Sequence, residues 1–257
     1  MNRASFNGLL SISTAMLLSI NALLNPKDAF AGPPYVTDDP FPTKYKHFEI
    51  FLASEYSCNA NSKRGTLPHL EVNYGPAPDV QIGFTIPYTW NQDSEAGREH
   101  GLGDIKVSGK YQFIHETKTV PAVAFFPSYK SHTGDENRSL GTGANSYFLP
   151  IWIGKNWGDW TSFGGAGYTI TDAPDTKNTW FFGWALQKKV SESLSLGTEV
   201  FHETEGTPGE GDSTGFNIAL LYDFSEHHHV VFSAGKGLQN THKTNQFSSF
   251  LAYQLTF

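Results

Sequence analysis

From His47 onward the chain alternates apolar and polar residues with a period of two, which places successive side chains on opposite faces of a β-strand. In residues 80–88, Val80, Ile82, Phe84, Ile86 and Tyr88 oppose Gln81, Gly83, Thr85 and Pro87. In 104–113, Ile105, Val107, Tyr111 and Phe113 oppose Asp104, Lys106, Ser108, Lys110 and Gln112. In 216–224, Phe216, Ile218, Leu220, Tyr222 and Phe224 oppose Asn217, Ala219, Leu221 and Asp223. At the C-terminus Phe247, Leu251, Tyr253, Leu255 and Phe257 share a face, with Ser249 and Phe250 out of step. The pattern predicts about twelve strands, near 47–57, 67–75, 79–90, 103–115, 119–130, 143–154, 160–171, 178–189, 193–204, 213–224, 229–238 and 245–257. Pro68, Pro87, Pro121, Pro127 and Pro150 fall inside these segments. Each removes a ladder donor and so predicts a bulge or an end.

Short connectors at 75–79, 115–119, 155–159, 190–193 and 225–228 alternate with longer polar ones at 57–66, 91–102, 131–142, 171–177, 205–212 and 239–244. Short turns at one end, longer loops at the other and an even strand number are the arrangement of outer-membrane barrels. A soluble barrel or sandwich alternates too, but turns its apolar face inward. Here Glu49, Glu55, Glu71, Lys106, Lys110, Glu199 and Asp223 occupy one face, while the other is almost free of charge. Aromatics such as Tyr88, Trp90, Tyr111, Phe113, Trp157, Trp160, Trp180, Tyr222 and Phe224 gather toward strand ends, as in interfacial girdles. In lipid every backbone group must pair internally, so a sheet crosses only when closed. The expected fold is all-β: a transmembrane antiparallel up-and-down β-barrel spanning 47–257.

The N-terminus reads as an address. Arg3, an apolar stretch from Leu9 to Leu24 and Ala29-Phe30-Ala31 make residues 1–31 a cleaved signal peptide, with Gly32 the first mature residue. Residues 32–46 open on a proline-rich run and predict an extended N-terminal arm. The expected location is the bacterial outer membrane of a Gram-negative cell envelope, with both termini periplasmic. Its expected partners are outer-membrane lipid, a small-molecule solute and the barrel-assembly machinery. The last of these would read Leu251, Tyr253, Leu255 and Phe257 as an assembly signal.

Composition narrows the classes. Among 257 residues only 17% are charged, 14% are aromatic and one is Cys, with a net charge of −7. After residue 31 no apolar run approaches the roughly 20 residues of a membrane helix. Aromatics are too many for disorder, a single Cys makes no disulfide framework, and the acidic balance argues against nucleic acid.

Several motifs invite chemistry. Gly211-Asp-Ser-Thr-Gly215 has the letters of a nucleophile elbow, but the elbow needs a helix after its strand; Ser213 would act only if His202 or His242 converged on it. His227-His-His229 is adjacent on a strand start, so neighbouring imidazoles alternate sides and suit a polar turn better than a metal site. Gly101-x-Gly103 lacks the third glycine and the helix of a dinucleotide fingerprint. No metal, cofactor or catalytic residue is expected. Candidate lumen-lining residues are Glu49, Glu71, Asp104, Lys106, Lys110, Glu199, Glu203 and Asp223. They form either a filter for solutes or a salt-bridged network that plugs the barrel, two readings that stay open here.

Gly32-Pro-Pro-Tyr-Val-Thr-Asp-Asp-Pro40, Thr66-Leu-Pro-His-Leu-Glu-Val-Asn-Tyr-Gly75, Gly101-Leu-Gly-Asp-Ile-Lys-Val-Ser-Gly-Lys-Tyr111 and Glu226-His-His-His229 occur in order along the mature chain. With them the chain resembles a bacterial outer-membrane family named for a MetA pathway of phenol degradation, often labelled simply "transporter". The resemblance implies a barrel and passage of aromatic or other small solutes. The leading functional expectation is an outer-membrane channel or facilitator for small, aromatic or weakly polar solutes. The alternative is a plugged structural or surface-interaction barrel without transport, and the third is a membrane-embedded hydrolase.

Overall fold

The computed structural model describes residues 34–93, 97–174 and 176–257; the signal peptide read at 1–31 and the start of the arm lie outside them. The ladder comprises β1 (Phe48–Cys58), β2 (Ser62–Ala77), β3 (Val80–Asp93), β4 (Gly97–Leu102), β5 (Lys106–Ile114), β6 (Ala122–Phe125), β7 (Ser128–Lys130), β8 (Ser146–Trp157), β9 (Trp160–Thr171), β10 (Thr179–Lys189), β11 (Leu194–Glu203), β12 (Ser213–Asp223), β13 (His228–Gln239) and β14 (Phe247–Thr256). Two wall strands are each broken once. β4 and β5 both pair with β3, and β6 and β7 both pair with β5 and β8. Counted as wall strands the fourteen segments make twelve, all antiparallel to their neighbours. The barrel closes where β1 pairs with β14 from Glu49↔Thr256 to Cys58↔Phe247. Phe48 and Phe257 exchange backbone hydrogen bonds of 2.7 and 3.1 Å there, so both ends of the barrel wall lie at the short-turn end.

A proline lies at one of the two breaks. Pro127 lies between β6 and β7 without shifting their register against β5 or β8, and its carbonyl accepts from Gly109 N at 3.0 Å, so the wall stays paired. Pro68 sits at a register shift between Thr66 and His69, and Pro121 precedes β6. Pro87 and Pro150 remain within β3 and β8. The two-residue turn from Trp157 to Trp160 uses Gly158 at φ +61°, the left-handed geometry that tight hairpins demand.

Two expected long loops are corrected. Residues 57–66 contain a tight turn: Asn59 Oδ1 accepts from Asn61 N and Ser62 N at 2.9 and 2.8 Å, and pairing resumes at Cys58↔Lys63. Within 91–102, β3 and β4 stay paired from Tyr88↔Leu102 to Asp93↔Gly97. Backbone pairing needs no apolar face, so strands continue past the point where apolar alternation fades.

The outer face is apolar. Leu52, Ile82, Phe84, Val107, Tyr111, Ile151, Trp184, Val200, Ile218, Leu251 and Tyr253 are all exposed on it. The inner face holds buried Asn73, Gln81, Thr85, Lys110, Glu199, Asn217, Ser233 and Gln254. A water-soluble protein would invert that arrangement; a membrane barrel requires it.

Candidate functional site

The lumen begins with its occupant. Residues 34–46 make no strand of the wall and run inside the barrel. Ser233 Oγ donates to Pro34 O at 2.6 Å. The Tyr35 ring meets Phe163 edge-on at 5.3 Å, its hydroxyl donates to Gln187 at 3.3 Å, and it packs on an inward cluster of Phe51, Ala53, Leu221, Val231 and Ala252. The N–H groups of Val36 and Thr37 donate to the two oxygens of Glu199, each at 2.9 Å, and Asn217 Nδ2 adds a third donor at 2.7 Å. The chain then turns: Asp39 N donates to Asp38 at 2.7 Å, and Phe41 N to Asp39 at 2.6 Å. Lys110 Nζ lies 2.9 Å from Asp38 and 3.6 Å from Asp39, and 4.5 Å over the Phe126 ring. Thr43 donates to Gln81 through N and Oγ1 at 2.8 and 3.0 Å, and Lys46 N reaches Gly75 O at 2.7 Å.

Glycines on the inner face make room for this path. A Cβ at Gly183 would stand 2.2 Å from Thr37 Oγ1, one at Gly197 1.8 Å from the Tyr35 hydroxyl, and one at Gly154 2.7 Å from Pro40. Side chains there would meet the arm.

Toward the long-loop end the lumen is charged on one side. His69 Nδ1 lies 3.4 Å from Glu55 and Nε2 3.8 Å from Glu71, while Asn73 donates to Glu71 at 2.9 Å. Lys106 and Lys130 stand directly opposite each other on β5 and β7. Lys106 is in electrostatic reach of Glu55 and Glu71, and Lys130 of Asp104, Arg64 and Glu203. On the far side Phe148, Phe181 and Trp152 form an aromatic cluster, with Phe148 and Phe181 perpendicular at 6.2 Å and Trp152 and Phe181 at 6.0 Å. A recess of about 210 Å³ opens there, lined by Val36, Phe148, Thr169, Phe181 and Glu203.

The sequence candidates separate into groups. Glu49, Lys110 and Glu199 surround the arm, with Glu49 under the electrostatic influence of Lys110 and Asp38. Glu71, Lys106 and Glu203 lie beyond it toward the long loops. Asp104 stands at the mouth, where its two oxygens take Gly134 N at 3.0 Å and Thr142 N at 2.8 Å and so anchor the 131–145 loop. Arg138 ties the same loop to Glu99, its Nη2 at 2.6 Å. Asp223 lies near the other end, 2.7 Å from His229 Nδ1. In the 205–212 loop, Lys177 and the N–H groups of Gly209 and Gly211 hold the Glu205 carboxyl below the ordinary carboxylate range.

By the description of the matching family model, residues 61–255 fit "Putative MetA-pathway of phenol degradation". The chain belongs to this family. No curated protein matches the sequence. Among solved structures, the COG4313 outer membrane channel from Pseudomonas putida F1 is similar, with a TM-score of 0.70 at 14% identity, covering 89% of this chain and 100% of that one. The KdgM porin gives 0.57 at 13% identity, covering 81% and 99%. The translocator domain of the autotransporter NalP from Neisseria meningitidis gives 0.54 at 12% identity, covering 96% of each. These likenesses concern the barrel fold alone.

The remaining motifs find other partners. Ser213 pairs with Glu203 in the lumen-facing register, whereas His202 lies on the next register position and its Nδ1 is 2.8 Å from Thr214 Oγ1. The three adjacent histidines diverge: His227 Nδ1 meets Thr256 O at 2.8 Å, His228 meets the Tyr253 hydroxyl, and His229 meets Asp223. No metal-holding cluster occurs among the described residues. Leu251, Tyr253 and Phe257 are exposed on the outer face.

Sequence reasoning missed Asp38 and Asp39, His69, Lys130 and the Phe148–Phe181 pair. Lys130 shares its parity with the inward Ala122 and Ala124 in an unbroken register, but the apolar run from Ala122 to Phe126 before it leaves no alternation to read. The inward glycines were the available signal for the arm, because runs of side-chain-free inner positions mark space that something else fills.

Proposed function

We propose that the protein is an outer-membrane channel for small, aromatic or weakly polar solutes, with the arm setting the width of its lumen. The observation that carries this reading is the Lys106–Lys130 pair. Like charges directly opposite on neighbouring strands destabilise a sheet, and neither lysine makes a salt bridge among the described residues. The carboxylates in their reach, Glu55 and Glu71 for Lys106 and Asp104 and Glu203 for Lys130, act across gaps wider than an ion pair, which suits a hydrated passage better than a salt-bridged plug. In this reading the short turns and both termini face the periplasm, the long loops face outward, and lipid surrounds the apolar belt. Insertion by the barrel-assembly machinery through the terminal aromatic strand belongs to the same proposal, and the reading contains no catalytic step.

Full-length protein in planar bilayers is expected to conduct, and Lys106→Gln with Lys130→Gln is expected to shift ion selectivity toward cations. Silent membranes together with absent uptake into liposomes would overturn the channel. The hydrogen bonds of Val36 and Thr37 to Glu199 support a second reading, a barrel sealed by its own arm. Conductance that is absent in the native protein but appears in Glu199→Gln would favour that one.

A further inference from the structure

The recess at the long-loop mouth has a chemistry unlike the rest of the lumen. Phe148 is the third residue of β8, Thr169 the third from the end of β9, Phe181 the third of β10 and Glu203 the last of β11. All four therefore meet at one level of the wall. Val36 of the arm closes the recess from below; it is 53% exposed, an uncovered apolar side chain inside a largely polar lumen. Its backbone is held in place by Glu199. Glu203 accepts from Thr179 Oγ1 at 3.2 Å through Oε1 and makes no other hydrogen bond among the described residues. Two perpendicular aromatic rings, an aliphatic floor, one hydroxyl and one carboxylate thus converge on about 210 Å³, less than the roughly 300–1,000 Å³ of pockets for drug-sized ligands.

We infer that this recess binds a single uncharged aromatic ring bearing a hydroxyl or amino donor, the ring lying against Phe148, Phe181 and Val36 and the donor facing Glu203. The inference rests on the channel reading and adds to it a solute class and the first binding position beneath the outer mouth. Aromatic pairs favour edge-to-face or offset contacts, which two perpendicular rings supply to a third. The carboxylate accepts a donor and repels an anion, so it separates a phenol from a benzoate of similar size. Lys130 is in electrostatic reach of Glu203 but does not line the recess.

The test uses the full chain in detergent micelles, with phenol, toluene and benzoate as probes at pH 7.5, saturation-transfer NMR as readout and protein-free micelles as the blank. Phenol should bind about tenfold more tightly than toluene, the factor expected for one hydrogen bond to a charged acceptor, and more tightly than benzoate, which the Glu203 carboxylate repels. Glu203→Gln should bring benzoate up to parity with phenol without affecting folding, and Phe181→Leu should weaken phenol and toluene together. Equal binding of all three probes, or indifference to both substitutions, would overturn the site. Bilayer conductance of the same preparations separates the two ideas. Conductance without ring binding overturns only this inference, and ring binding with neither conductance nor uptake into liposomes retains the site and overturns the channel.

Discussion

Lys110 and Glu199 show how single residues tie the arm to the wall. Lys110 is 3% exposed and Asp39 is fully buried, so the lysine compensates a carboxylate that water does not reach. Removing one partner of a buried ion pair typically costs about 3–5 kcal/mol, because the other charge is left uncompensated. Lys110→Ala is therefore expected to lower the midpoint of urea unfolding in liposomes and to expose residues 34–43 to protease. Unchanged stability would mean that the arm is not held by this pair. The inward position of Lys110 was legible from alternation alone. Its partners were not, since Asp38 and Asp39 lie in a segment without periodicity and some 70 residues away.

At the scale of the strand, the two-residue period decides which substitutions are tolerated. On β12, Ile218 is 60% exposed while neighbouring Asn217 is 3% exposed and bonded to Glu199. A lysine facing lipid near the bilayer midplane costs about 2–4 kcal/mol in such barrels. Ile218→Lys should reduce stability by that order in the same unfolding measurement, and Ile218→Val should be close to neutral. Equal tolerance of both would place this face against water. Wall strands were readable because one face must be apolar along their membrane-spanning part. The paired extensions at 57–66 and 91–102 were less so, because the ladder there is held by backbone bonds that leave no apolar rhythm in the side chains.

Closure belongs to the whole molecule. β14 supplies both the last ladder and the seam with β1, and Phe257 sits on that seam, bonded through its backbone to Phe48 and stacked on its ring at 5.5 Å. Deleting Phe257 removes two backbone hydrogen bonds and an aromatic contact at the closing edge. The truncated protein is expected to reach the outer membrane at a clearly lower level, measured by heat-modifiable mobility of membrane fractions. Normal levels would show that neither the seam nor the terminal aromatic guides assembly.

Alternation along the chain is enough to place the strands, their inward and outward faces and the even number that brings both ends of the wall together. A lipid-facing surface excludes charge at every second position, and that constraint is local enough to be written in the order of residues. What fills the enclosed space emerges only once the wall is closed. The arm's path past Gly154, Gly183 and Gly197, the Lys110–Asp39 contact and the recess between Phe148 and Phe181 each join residues far apart in the chain. Such pairings are fixed by closure and register, which no periodicity of side chains records.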